Sequence, residues 1–327
     1  MSVGRSGRAG RGGWAARGGA ARGGQAGRGG RASLLAVGLA ALLLLAAAGC
    51  GSSGDSAGGK IGVVAGENFY GDLVSRIGGD LVSVTSILSD PAVDPHTYES
   101  SPQNALAVAD AVLVVKNGLG YDAFLDRLLA ASPRPDRKVI DAGELLGLAD
   151  GVNPHVWYNP ATMPKLAQAA ATALEELAPS SKTAIEANLE TYLDSFAPLT
   201  AKIAYLAARY PGTPVAYTEA VPDYLVAALS FKVLTPAGFT RSIEAGTDPA
   251  PSDVAAQSDL LTGRKVKLLL YNSQATSPVT ESIKTLAGQS GVPVVSVSET
   301  MPAGAGGFVD WQLSQLGAIE SALGASQ

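Results

Sequence analysis

The chain has 327 residues, 46% hydrophobic, 6% aromatic and 16% charged, and at about 100–200 residues per domain it has room for two lobes. Its net charge of −5 conceals a division: residues 1–49 hold seven Arg and no acid, so the remainder carries 17 basic residues against all 29 acidic ones, a net of −12. An acidic body argues against nucleic-acid binding, which needs a positive face to neutralise phosphate, while one Cys rules out a disulfide framework or a thiolate-built metal centre and two His rule out a His-rich storage tract.

Residues 1–31 are rich in Gly, Arg and Ala, have no apolar periodicity and cannot pack a core. Residues 32–49 follow without a charge and dense in Leu and Ala. A positive stretch ahead of an apolar one is the pattern of a secretory signal peptide, although an apolar run of this length also sits at the short end of a membrane span. The ending separates the two readings. Ala47-Ala48-Gly49-Cys50, followed by a Gly/Ser-rich polar run, resembles a bacterial lipobox, with Ala47 where Leu is commoner. Residues 1–49 are then a lipoprotein-type signal peptide, Cys50 is the lipidated first residue of the mature chain, and 50–59 form a flexible tether. Either reading exports the body and holds it at the outer face of a membrane.

From residue 60 the chain alternates β-branched runs with helical stretches, the pattern of α/β lobes with mainly parallel sheets. The first lobe, 60–179, has expected strands at 61–64, 82–87, 112–115 and 139–141, with helices near 70–77, 102–109 and 121–130. The second, 211–327, repeats the rhythm with strands at 215–217, 232–234, 266–271 and 294–297 and helices at 222–229, 251–261, 278–288 and 308–323. Between them an apolar stripe of Ile185, Leu189, Tyr192, Phe196, Leu199, Ile203 and Leu206 recurs at helical spacing. It predicts one long, rigid linking helix over 180–210, roughly 45 Å long, which Pro198 should kink or divide.

Both histidines stand in the same local setting, Asp94-Pro95-His96 and Asn153-Pro154-His155, each near an aromatic residue, Tyr98 or Trp157. Proline fixes its own φ and pushes the residue before it to an extended conformation, so each imidazole projects from a stiff turn. The Asp or Asn two residues upstream can accept a hydrogen bond that orients the ring. On spacing alone, a shared metal site and two merely structural histidines are equally open. With no usable Cys, further ligands would have to be carboxylates. Glu219 and Glu299 each follow the end of an expected strand in the second lobe, where open α/β sheets bind ligands; the plain alternative for each is a solvated loop acid.

The segment from Glu67-Asn68-Phe69-Tyr70-Gly71 through Ile87-Leu88-Ser89-Asp90 to Asp94-Pro95-His96-Thr97-Tyr98-Glu99 resembles the cluster A-I (cluster 9) metal-binding lipoproteins, the substrate-binding components of zinc and manganese ABC transporters. Further stretches resemble the same family: Ala109 to Gly120, Asn153-Pro154-His155-Val156-Trp157-Tyr158-Asn159-Pro160, and Asp248-Pro249-Ala250-Pro251-Ser252-Asp253. The resemblance implies two α/β lobes joined by one long helix, with a metal in the interlobe cleft held by two ligands from each lobe. Carried over by position, His96 and His155 match the two histidines of the first lobe. Glu219 falls where zinc binders often have His and manganese-type members have Glu. Glu299 falls at a fourth position that is usually Asp, and because it is one methylene longer, Asp310 is held as the fallback.

The resemblance further implies that Zn²⁺ or Mn²⁺ is the transported ligand rather than a catalytic group, that a cognate permease and its ATPase subunit are the partners, and that the lipid anchor keeps the protein on the outer face of the cytoplasmic membrane. Oxygen-rich sites suit manganese, whereas the Irving–Williams order favours zinc. Other readings are an exported zinc hydrolase using His96, His155 and a Glu, a surface adhesin, and an α/β receptor for another small ligand. The hydrolase is disfavoured because the chain has no His-Glu-x-x-His helix and no Gly-x-Ser-x-Gly turn.

Overall fold

The computed structural model describes residues 59–93, 95, 98–149 and 151–325. The signal peptide, Cys50, the tether as far as residue 58, and His96 lie outside the described residues.

The first half builds Ile61–Glu67 (β1), Asn68–Gly78 (α1), Val82–Leu88 (β2), Pro102–Asp110 (α2), Leu113–Lys116 (β3), Ala123–Ala131 (α3), Lys138–Asp141 (β4) and the short Ala142–Leu145 (α4). Its sheet runs β2-β1-β3-β4, all parallel. After a single 3₁₀ turn at Val156–Tyr158 come Thr162–Leu177 (α5), Lys182–Asp194 (α6) and Ala197–Arg209 (α7). The second half builds Pro214–Tyr217 (β5), Asp223–Ala228 (α8), Lys232–Val233 (β6), Ala237–Glu244 (α9), Pro251–Thr262 (α10), Leu268–Asn272 (β7), Pro278–Gln289 (α11), Val294–Val297 (β8) and Phe308–Ala325 (α12). Its sheet runs β6-β5-β7-β8, again all parallel. The two parallel four-stranded sheets expected from the alternating pattern are both present.

The inner strands β1, β3, β5 and β7 form where they do because they are covered on both faces. β3 and β7 are buried along their whole length, which is why they read as unbroken apolar runs ending in a polar residue. Helix starts are written locally: Ser101 accepts from Asn104 N ahead of Pro102, and Ser277 and Thr280 form a reciprocal capping box ahead of Pro278. α1 lies so close to β2 that a Cβ on Gly71 would overlap Ser86 Oγ. The short α4 and α9 lie outside the expected helices; Phe239 and Ile243 bury against Ala216, Leu261 and Leu269 and hold α9 in place.

The linking segment is divided rather than continuous. Phe196 N bonds the carbonyl three residues back, at Leu193 (3.1 Å), and Pro198 has no N–H to offer Asp194, so the ladder is interrupted at Ser195-Phe196. Division, one of the two outcomes expected at Pro198, is the one observed. α6 packs on α1 and α5, and α7 packs on α12.

An aromatic cluster ties the halves together. Phe69 of α1 packs against Trp157 (centroids 4.9 Å apart) and Trp311 of α12 (5.9 Å), and Tyr158 meets Trp311 edge-on at 6.0 Å. Such pairs contribute about 0.5–1.5 kcal/mol each beyond the area they bury.

Candidate metal centre

The order of each sheet places a topological switch point between its first and third strands, and ligands of open α/β sheets bind there, beyond the carboxyl ends. Glu67 ends β1 and Asn117 follows β3; Glu219 stands two residues past β5 and Asn272 ends β7; Glu299 stands two residues past β8. The side chains gathered at the carboxyl ends are therefore set by strand endings that the apolar runs themselves define.

His155 is fully buried at the start of the 3₁₀ turn. Asn153 Oδ1 accepts from His155 N (3.0 Å) and lies 2.7 Å from Nδ1, while Asn153 Nδ2 donates to Ala220 O (2.7 Å). That second bond fixes the amide's orientation, so Nδ1 donates to Asn153 and Nε2 is the nitrogen turned toward Glu299. Nε2 lies 3.3 Å from Glu299 Oε2, and both side chains are shielded from solvent. Asn117 Nδ2 donates to Pro154 O (2.9 Å) and holds the same turn from the sheet side.

Glu299 is fixed from three directions. Tyr121 Oη donates to its Oε2 (3.0 Å), Asn272 Nδ2 donates to its Oε1 (2.8 Å), and Gln274 Oε1 accepts from its backbone N (2.6 Å). Asn272 Nδ2 also donates to Glu219 Oε2, and Gln274 N donates to Asn272 Oδ1 (3.1 Å), which sets the Asn272 amide the right way round. One amide thus joins the two carboxylates. Burial, and next the Glu299 charge, push the Tyr121 hydroxyl well up from its ordinary range, so it stays a donor.

Two further buried acids belong to the N-terminal side of the cluster. Burial, with Asp122 next, pushes the Glu67 carboxyl well up. Asp122 accepts from the backbone N of Asn117 (2.7 Å) and Gly118 (2.9 Å), yet burial carries it up to about 6.

Of the four sequence-predicted site residues, His155 and Glu299 meet directly, Glu219 joins them through Asn272, and His96 lies outside the described residues. Among the described residues, no three His, Cys, Asp or Glu side chains close into a metal-holding group. The fallback, Asp310, is exposed on the first turn of α12 and lines a surface hollow with Asp72, Arg76 and Tyr192. Asn272, Gln274 and Tyr121 were missed as site residues; Tyr121 adjoins the Gly118-Leu119-Gly120 turn, the one local signal that could have drawn attention to it.

An imidazole facing a buried carboxylate, with a second carboxylate drawn beside it by Asn272, brings together side chains of the types that can donate to a cation. Two parallel α/β lobes converging on it define a two-lobe ligand-binding protein. Residues 63–322 match the family model for ZnuA, the periplasmic component A of a zinc-uptake complex, and the chain belongs to that family. It is similar to the manganese ABC transporter substrate-binding lipoprotein ScaA of Streptococcus gordonii, at 26% identity over 277 residues covering 77% of this chain and 86% of that protein. In structure it resembles the periplasmic zinc-binding protein TroA of Treponema pallidum, with TM-score 0.70 at 20% identity over 81% of this chain and 99% of that one. It likewise resembles the substrate-binding protein FpvC of Pseudomonas aeruginosa in complex with Ni²⁺, with TM-score 0.67 at 25% identity over 82% and 98%.

Proposed function

We propose that the protein is the extracytoplasmic substrate-binding component of an ABC transporter for a divalent transition metal. It captures Mn²⁺ or Zn²⁺ between its lobes and delivers the ion to a membrane permease driven by an ATPase subunit. His96 and His155 supply nitrogen from the N-terminal lobe, and Glu219 and Glu299 supply oxygen from the C-terminal lobe. Lipidation of Cys50 keeps the protein at the outer face of the membrane. The observation that carries this reading is the buried meeting of His155 Nε2 and Glu299 Oε2 across the two halves, with Asn272 drawing Glu219 to the same point.

Two nitrogens and two carboxylates accept both ions. Oxygen-rich donor sets suit Mn²⁺, and Zn²⁺ binds more tightly by the general affinity order. Glu rather than His at position 219 tips the assignment toward manganese, as does the naming of the S. gordonii relative as a manganese transporter protein. A zinc hydrolase is disfavoured, because the family is that of an uptake-complex component. The test is a thermal melt of chelator-stripped protein with each ion: at 100 times the dissociation constant, binding adds about 2.7 kcal/mol. No shift with either ion would overturn the reading.

A further inference from the structure

By sequence the segment carrying Glu299 belongs to the second half, yet residues of the first half grip it on both sides. Upstream, Tyr158 Oη donates to Ser298 O (2.8 Å). Downstream, Asn68 makes a two-way bond with the Met301 backbone: Nδ2 donates to Met301 O (2.7 Å) and Oδ1 accepts from Met301 N (2.9 Å). One and two turns further along α1, Asp72 Oδ2 accepts from Phe308 N (3.1 Å) and Arg76 donates to Gly306 O (2.5 Å). Asn68, Asp72 and Arg76 are spaced by four and so share one face of α1; that face is a row of hydrogen bonds to 301–308. Behind it, Phe308 and Trp311 pack on Phe69.

Both carboxylates are also tethered to Asn272 of β7, and the residues next to Glu219 meet the first half at Asn153, which donates to Ala220 O and accepts from Tyr224 Oη (2.9 Å); the row of bonds from α1, by contrast, meets the Glu299 segment.

We infer that Asn68 is a positioning residue for Glu299, acting through the Met301 backbone. The inference rests on the assignment of Glu299 as a metal ligand.

Asn68 is suited to the role because its amide donates and accepts at once. Asn68→Asp replaces the donor with an oxygen facing Met301 O and breaks the grip. It also puts a negative charge at the first position of α1, where the helix dipole favours it, so the substitution separates positioning from helix stability. Loss of a partner behind a metal ligand typically costs about 10–100-fold in affinity, and the full chain carrying Asn68→Asp should lose Mn²⁺ and Zn²⁺ affinity by about that factor, measured by chelator competition, with faster dissociation. Because coupled sites are non-additive, the loss should vanish in a Glu299→Ala background and persist in a Glu219→Ala background. Should Asn68→Asp fold poorly, the exposed Arg76→Ala tests the same grip and should show a smaller loss with the same dependence on background. Unchanged affinity in Asn68→Asp while Glu299→Ala weakens binding would overturn the positioning role, as would equal losses in both backgrounds. Unchanged binding in both Glu219→Ala and Glu299→Ala would overturn the ligand assignment itself.

Discussion

His155 Nε2 lies 3.3 Å from Glu299 Oε2, an imidazole of the first half against a carboxylate of the second, with both side chains fully buried. Asn153 Oδ1 lies 2.7 Å from Nδ1, so Nε2 is the ring nitrogen turned toward the carboxylate, a geometry in which both groups can donate to one cation. Glu299→Gln preserves the shape and the contact with Asn272 but removes the charge. It should weaken Mn²⁺ binding by at least the about 10–100-fold that loss of a supporting partner costs, read by calorimetric titration; affinity within twofold of the parent would count against Glu299 as a ligand.

Asn272 joins the two carboxylates through one amide nitrogen. Asn272→Asp would set a third acid against Glu219 and Glu299. The chelator-stripped variant should be less stable by on the order of 1–3 kcal/mol, the cost of an unsatisfied buried group, and its rise in Tm on adding Mn²⁺ should exceed the parent's. A smaller rise would count against Mn²⁺ binding beside Asn272.

How much of this was legible beforehand follows from the range over which each residue acts. The bond from Asn153 to His155 spans two residues and is written in Asn-Pro-His; the break at Pro198 is written in one residue. Glu219 and Glu299 were readable because apolar runs mark where strands end. Asn272 acts on Glu219 and Glu299 from 53 and 27 residues away, and Asn68 meets Met301 across 233. Nothing local marks such pairings, because the topology creates them. α9 was hidden for a related reason: it is held by the burial of Phe239 and Ile243 against residues distant in sequence.

Asp122 makes stability pH-dependent with a definite sign. Its carboxyl titrates at about 6 in the fold against an ordinary value of 3.8, chiefly because it is buried. Between those values the folded state binds more protons than the unfolded one, so stability falls as pH rises through that window and the loss is complete above about 6. The total is roughly 3 kcal/mol, and Glu67, also raised by burial, acts in the same direction. Denaturant titrations of chelator-stripped protein from pH 4 to 7 should show a shallower decline for Asp122→Asn than for the parent; equal slopes would contradict this account.

Gly71 lets α1 approach β2 closely enough to bring Asn68 and Phe69 to the centre of the molecule. Gly71→Ala drives a methyl into Ser86 Oγ, and overpacking of this kind costs about 1–3 kcal/mol. A lowered Tm is expected, and recovery in the double variant with Ser86→Gly would identify the clash as its cause.

The central claim, a single interlobe site for one divalent metal, is tested most directly by titrating chelator-stripped protein with Mn²⁺ and Zn²⁺ in a calorimeter, alongside Glu219→Ala and Glu299→Ala. One equivalent of either ion per chain is expected, the two competing for the same site, with affinity lost in both variants. A stoichiometry near zero, or binding that neither substitution disturbs, would contradict it.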